Sequence, residues 1–163
     1  GGLFEGGGWV ELVLRLMGEL DGVLPAGSSV AAGECAVLAA MTGRGDFRGI
    51  AEKSLRSYVA MMREGGAGMG EMMRALDFFL DKPARLVIAG DAGKEGLLKV
   101  CAKHWDPTMI TLGNLGKVDE FTLGLKPMDE KATAYYCVGE TCQLPVNTVE
   151  GLEKLFKRMA KKP

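Results

Sequence analysis

The fold is decided by the stretch Leu86-Val87-Ile88-Ala89-Gly90-Asp91-Ala92-Gly93-Lys94-Glu95-Gly96, near the middle of the chain. Its first four residues form an unbroken apolar run, which is typical of a strand buried on both faces. Asp91 or Gly93 opens a helical pattern that continues to Cys101. Met109 to Leu112 forms a second short apolar run. The order of strand, helix and strand predicts a parallel βαβ unit.

The glycines of this stretch also raise the question of nucleotide binding, since a strand-to-helix turn is where phosphate binds. A P-loop needs Gly at the position of Ile88 and Ser or Thr at the position of Glu95. The dinucleotide fingerprint fails as well, because the glycines are spaced Gly-x-x-Gly-x-x-Gly. We therefore predict a tight βα turn here, and we expect no cofactor.

The C-terminal quarter predicts a hairpin and a closing helix. Ala134 to Val138 and Thr141 to Leu144 flank the two-residue turn Gly139-Glu140. Thr148 is placed to cap an amphipathic helix that contains Leu152, Leu155, Phe156 and Met159. The basic end of that helix complements its dipole.

Cys137 and Cys142 occupy matching positions in this predicted hairpin. If Val138 and Thr141 form the hydrogen-bonded pair next to the turn, the two cysteines form the following non-hydrogen-bonded pair, with Cα atoms about 4.5 Å apart. A disulfide accepts that separation. Two reduced thiols and a regulatory redox switch are the alternatives, and the sequence leaves all three open.

The N-terminal half predicts a β-hairpin followed by three helices. Two apolar runs surround Gly6-Gly7-Gly8, so we predict a hairpin over Gly1 to Leu16, although a helix from Trp9 onward is an alternative. Ser28 or Ser29 would cap the first helix, Gly43 would end it, and Asp46 would cap the second. After a glycine-rich break, the third helix is predicted from Glu71 to Leu80. Together with the later strands, this predicts an α+β chain with parts 1–82 and 83–163.

The loop from Asp21 to Ser29 is the best candidate for a site. It places one carboxylate and two hydroxyls just before a helix N-terminus, where free N–H groups favour polar ligands. We predict Asp21 as the catalytic candidate and Pro25, Gly27, Ser28 and Ser29 as ligand-binding candidates. The alternative is a structural turn with a serine cap.

Composition and charge exclude several classes of function. The net charge of −1 provides no basic field for nucleic acid, and no apolar run is long enough to span a membrane. His104 is the only histidine, and no cysteine spacing fits zinc, so we expect no metal site and a structural or surface role for His104. We expect a soluble protein, either cytoplasmic or in an organelle such as the mitochondrion or chloroplast.

Short motifs in a fixed order resemble the C-terminal part of the spermatogenesis-associated, thioredoxin-like protein family, whose bacterial members are called thioredoxin domain-containing proteins. The matching residues are Asp21-Gly22-x-x-Pro25-x-Gly27-x-Ser29-Val30-Ala31-Ala32, Leu38, Thr42-Gly43, Ala51-Glu52, Ala75-Leu76-Asp77, Leu86-Val87-Ile88-Ala89-Gly90 and Tyr136-Cys137-x-x-x-x-Cys142-Gln143-x-Pro145-Val146. The resemblance covers nearly the whole chain.

This resemblance implies a longer protein, with a thioredoxin-like domain followed by a helical (α/α) toroid of the six-hairpin glycosidase type, similar to sugar epimerases. The helices before Pro83 would be part of that toroid. The family's Asp-Gly-x-x-Pro-Ser-Gly-Asn-Ser segment is altered at Ala26 and Ser28, which would weaken a site that depends on the Asn.

The expected function follows from these features. The chain starts with Gly1, without Met or a signal peptide, so we expect a non-catalytic fragment or subunit of a larger assembly. Its partners would be the remainder of the same protein or other subunits, and it would not be an enzyme by itself. One alternative is a part of a carbohydrate-binding or carbohydrate-modifying toroid in which Asp21 acts on the sugar. The other is a redox-regulated module that uses Cys137 and Cys142.

Overall fold

The computed structural model describes residues 20–81, 83–114, 116, 118–139 and 141–160. The hairpin predicted over Gly1 to Leu16 lies outside these residues. The chain divides into two compact units, Gly1–Asp81 and Lys82–Pro163. Across the described residues it is a mixed α and β structure with seven α-helices and one four-stranded sheet, as the α+β prediction requires.

The first unit is helical where it is described. Its helices are α1 Gly27–Thr42, α2 Gly45–Ser57, α3 Val59–Gly65 and α4 Gly70–Leu80, with a 3₁₀ turn at Gly66–Gly68. Helix α1 packs against both α2 and α4. The core of the unit is formed by Ala32, Leu55, Tyr58, Met62, Met69, Met72 and Ala75.

Of the residues predicted to begin or end helices α1 and α2, one is confirmed and the others are wrong. Gly43 ends α1 as predicted: it adopts a φ of 69° and its N–H bonds the carbonyl of Ala39. The predicted serine cap is wrong, because α1 begins at Gly27 after Ala26, and both serines lie buried in its first turn. The Asp46 cap is also wrong. Helix α2 begins at Gly45, so Asp46 lies in its first turn, and the Asp46 carboxylate pairs with Arg44.

The second unit is built on a small mixed sheet. Its strands are β1 Ala84–Ala89, β2 Met109–Gly113, β3 Thr133–Val138 and β4 Thr141–Cys142, in the order β2-β1-β3-β4. Strands β1 and β2 are parallel and are joined through helix α5, Lys94–Lys103, so the predicted βαβ unit is confirmed. Strand β3 runs antiparallel to β1 and to β4.

One face of this sheet forms the core with α5 and with helix α7, Val149–Met159. The buried side chains from the sheet and the two helices include Leu86, Ile88, Leu97, Val100, Ala134, Leu152, Leu155 and Phe156. Thr148 caps α7 as predicted, because its hydroxyl accepts the N–H of Gly151 at 3.1 Å. Val87, on the opposite face of β1, is also fully buried, so this strand is buried on both faces as predicted.

A short helix, α6 Glu120–Gly124, was not predicted. Asp119 caps it by accepting the Thr122 N–H at 2.7 Å. The same carboxylate bonds Arg85 of β1 at 2.5 Å, and Arg85 also donates to the Thr122 hydroxyl at 2.9 Å. A five-residue helix is too short to show a hydrophobic period, and only the spacing of Asp119 and Thr122 could have indicated it.

Candidate functional site

Asp21 is held by hydrogen bonds on both carboxylate oxygens. Oδ1 accepts the N–H of Ala26 at 2.9 Å, which closes the loop on itself. Oδ2 accepts the N–H groups of Glu71 at 2.8 Å and Met72 at 3.2 Å, in the first turn of α4. The Ser29 hydroxyl also bonds the carboxylate. Asp21 therefore caps a helix that lies fifty residues further along the chain.

The electrostatics of Asp21 agree with this geometry. Burial acts to raise the pKa of its carboxyl, but the hydrogen bonds from Ala26, Ser29, Met72 and Glu71 outweigh burial and lower it. The negative charge also lies at the positive end of the α4 dipole. Asp21 is therefore a carboxylate that stays ionised, with its acceptor capacity already used by the protein.

The predicted ligand-binding residues do not all face the same space. Ser28 and Ser29 are buried in the first turn of α1, whereas Pro25 and Gly27 are exposed. Ser29 belongs to the Asp21 hydrogen-bond cluster. The structure thus brings Asp21 and Ser29 together around the start of α4. A catalytic role for Asp21 and a ligand role for the other four residues stay predictions.

The backbone groups of Glu71 and Met72 were missed in the sequence. They complete the Asp21 cluster, and the main-chain N–H of Asp21 also donates to the carbonyl of Gly68 at 2.8 Å. The glycine-rich break before α4 was the available signal, because none of its residues offers a side-chain cap and a helix start without one needs a partner from elsewhere.

Cys137 and Cys142 form a disulfide. They face each other in the β3–β4 ladder in the predicted register, and Val138 faces Thr141 next to the turn. Their Cα atoms are 4.0 Å apart, somewhat closer than expected. Cys137 is buried, whereas Cys142 is exposed, so a reductant can reach the bond from the Cys142 side. The redox role of the pair stays a prediction.

The hairpin that carries the disulfide is tied to α7. The N–H of Gln143 donates to the carbonyl of Tyr136 at 2.8 Å, which continues the ladder beyond the cysteines. The Gln143 side-chain oxygen accepts a bond from Arg158 at 3.2 Å. The residue that follows the disulfide in the chain is therefore in contact with helix α7.

The described portion of the chain holds no group of three or more His, Cys, Asp or Glu side chains that could bind a metal ion. Nor does it contain a helix with the length and apolar character needed to cross a membrane.

Comparison with known proteins finds similarity to one group. Spermatogenesis-associated protein 20 of Homo sapiens is 26% identical over 155 residues, which are 89% of this chain and 20% of that protein. The protein of the same name from Rattus norvegicus is 26% identical over 156 residues, and the one from Mus musculus is 25% identical over 156 residues, each covering 90% of this chain and 20% of the relative. No protein-family model and no solved structure gives a significant match.

The chain therefore spans about a fifth of the length of the curated relatives it matches. These similarities support the spermatogenesis-associated family that the motifs predict.

Proposed function

We propose that this chain is a non-catalytic part of a larger assembly, and that its first unit contributes helices to a toroid of which it forms only a section. The observation that carries the proposal is the composition of α1. Of its sixteen residues only Glu34 is charged, and apolar side chains occur on every side. A helix that is apolar all round is normally buried on all sides.

Within residues 20–81, the neighbouring helices α2 and α4 cover only one side of α1. Ala32 and Ala36 are buried against the neighbouring helices, while Val30 and Leu38 remain more than a third exposed. Further apolar side chains are exposed in the same unit, and these are Val23, Leu24, Ile50, Val59, Met73 and Leu80. Apolar surface of this kind marks a site of protein contact.

The length of the relatives indicates what covers this surface. They are about five times as long as the matched region, so further helices of the same protein, or of a partner subunit, are the natural neighbours of α1. The motif resemblance supports a six-hairpin toroid preceded by a thioredoxin-like domain as the finer description. In this proposal Asp21 stabilises the section by fixing its loop to α4 and takes no part in chemistry.

The first test is the size of the native particle. We expect the chain to elute from a native extract well above its own mass of 17.4 kDa, as part of a larger assembly. Elution at the mass of the free chain would contradict the proposal.

The second test uses the isolated chain and matched substitutions. Leu38→Lys places a charge on the exposed side of α1, and Leu98→Lys does the same on α5 in the second unit, where Leu98 is similarly exposed. We expect the wild-type chain to bind a hydrophobic dye or to self-associate, and Leu38→Lys to reduce this at least about threefold. An equal reduction by Leu98→Lys would argue against α1 as the contact surface.

A redox-regulated module is the second candidate function, and the Cys137–Cys142 disulfide favours it. Intact-mass measurement with and without reductant tests the bond itself. We expect a difference of about two daltons, because reduction adds two hydrogens. Identical masses after purification under oxidising conditions would end this candidate.

The carbohydrate role of the toroid stays a prediction with a direct test. In the intact assembly, Asp21→Asn should leave turnover of any identified substrate unchanged if Asp21 is structural. A large loss of turnover in a variant that remains folded would restore Asp21 as a catalytic residue.

A further inference from the structure

An open cleft of about 300 Å³ lies in the second unit, where α5 ends. Its walls are mostly aromatic and thioether side chains, contributed by three separate stretches of the unit. These are His104, Trp105, Met109, Tyr136, Phe156 and Met159. The volume is at the lower end of the range of small-molecule sites.

The floor of the cleft is a set of packed rings. The rings of His104 and Phe156 have centroids 5.1 Å apart and are tilted by 36°. Tyr136 meets Phe156 edge to face at 6.3 Å. Such pairs fix the ring positions, so the floor is preformed. Trp105 is different, because 79% of it is exposed, which is unusual for the largest apolar side chain.

One carboxylate lines the same cleft. Oδ1 of Asp106 accepts the N–H of Thr108 at 2.8 Å and the Thr108 hydroxyl at 2.7 Å, and these bonds fix the orientation of the group. Burial, and then the Asp106 charge, raise the pKa of Tyr136, so the tyrosine stays a neutral hydrogen-bond donor at physiological pH. Among the described residues, nothing accepts a hydrogen bond from this hydroxyl, which leaves it able to bind a ligand.

We propose that this cleft binds a small organic cation with an aromatic or apolar body. Trp105 and Tyr136 line the cleft, where aromatic rings attract a cation through their π electrons, and Asp106 supplies the opposite charge. A neutral ligand would gain nothing from the Asp106 charge, and an anion would be repelled by it. Lys103 and Lys157 are neighbours in sequence, but they do not line the cleft.

The experiment compares three probes of similar shape by calorimetry on the whole chain. Phenethyltrimethylammonium carries the cation, 3,3-dimethylbutylbenzene is its neutral counterpart, and 3-phenylpropionate is an anion. We expect the cation to bind at least about tenfold more tightly than the other two probes. Equal binding of the neutral probe would overturn the proposal, because the cleft would then be a plain apolar groove.

A fourth probe separates a free cation from a peptide side chain. N-acetyl-lysinamide presents the ammonium group that a basic protein segment would offer. We expect it to bind more weakly than phenethyltrimethylammonium, since it lacks a ring to stack on Trp105. Tighter binding of N-acetyl-lysinamide would overturn the assignment of a free small molecule.

Substitutions place the binding in the cleft. Asp106→Asn and Trp105→Ala change exposed residues, so both variants should keep the fold, which circular dichroism checks. We expect each to weaken phenethyltrimethylammonium binding by about three- to thirtyfold. Glu95→Gln removes one negative charge at the other end of α5 and should change binding less than twofold. Equal effects of Asp106→Asn and Glu95→Gln would show a general charge effect and contradict the proposed site.

Discussion

The carboxylate of Asp21 accepts a hydrogen bond from the backbone nitrogen of Glu71 at 2.8 Å, across fifty residues of sequence. The same oxygen also accepts the N–H of Met72. Helix α4 has no side-chain cap of its own at Met69, so Asp21 supplies the acceptor that its first turn lacks. The loop and α4 are thereby held as one piece of structure.

Asp21→Ala should destabilise the helical unit by roughly 2–4 kcal/mol. The change removes a helix cap and leaves several N–H groups without their charged acceptor. Loss of helical circular dichroism during urea unfolding measures the effect. Asp46→Ala is the matched control, because Asp46 is exposed and its ion pair with Arg44 lies at the surface, so its removal should lower the unfolding midpoint much less. Equal shifts for the two variants would contradict the capping role.

Acid should weaken both units through carboxylates with lowered pKa values. For Asp119, burial raises the pKa, but hydrogen bonds from Thr122 and Arg85 together with the Arg85 charge lower it overall. Since the folded pKa of Asp119 and of Asp21 lies below the ordinary value of 3.8, their stabilisation is complete above that pH. It is lost as the pH falls through the folded value.

Unfolding midpoints measured between pH 6 and pH 2.5 check this dependence. Asp21→Asn and Asp119→Asn should each flatten the acid limb of the curve for the unit that contains the residue. If the acid limb of each variant matched that of the wild-type chain, other carboxylates would control the loss of stability in acid.

Glu130→Gly should stabilise the second unit by roughly 1 kcal/mol. Asp129 and Glu130 have φ values of 51° and 57° in the turn that joins Met128 to Lys131, and glycine adopts such values without strain. Thermal unfolding measures the gain. Glu130→Ala is the control. It removes the same carboxylate but leaves a side chain at a positive φ, so the free energy of unfolding should not rise.

Gly90→Ala should destabilise the second unit by about 2–4 kcal/mol. Gly90 follows β1 with a φ of 87°, and a Cβ there would lie 2.8 Å from the Cβ of Pro127. Gly113→Ala, at the end of the neighbouring strand, meets no atom within 4 Å and should cost much less. Chemical denaturation of the two variants makes the comparison, and similar losses would rule out the close contact as the cause.

Reduction of the Cys137–Cys142 bond should lower the stability of the second unit by about 2 kcal/mol. The enclosed loop is short, so the loss of its constraint in the unfolded chain is modest. Cys142→Ser should reproduce the effect and abolish the dependence on reductant, as measured by thermal unfolding. Cys35→Ser, in a free cysteine of the first unit, should do neither.

Local patterns predicted several features of this structure correctly. Gly43 ends α1 because glycine adopts a left-handed backbone conformation at low energetic cost. Thr148 caps α7 by accepting the N–H of Gly151, three residues further on. The pairing of Cys137 with Cys142 follows from the period of a strand and a two-residue turn. Each of these depends on neighbours in sequence.

The prediction that a serine caps α1 was wrong because of a contact that local sequence does not show. Ser29 lies within α1, and its hydroxyl bonds Asp21. The Asp21 carboxylate in turn accepts the N–H groups at the start of α4. Four groups, the N–H groups of Ala26, Glu71 and Met72 and the Ser29 hydroxyl, share this one carboxylate, and their positions depend on how the helices pack.

Local sequence patterns were sufficient to predict the βαβ unit and the register of the cysteine hairpin, because backbone geometry over a few residues fixes both. The roles of the polar and aromatic groups became visible only in the folded chain. There, Asp21 caps α4, and His104, Tyr136 and Phe156 lie around one cleft. Hydrogen bonds and ring contacts between distant segments depend on packing in three dimensions, which no local pattern specifies.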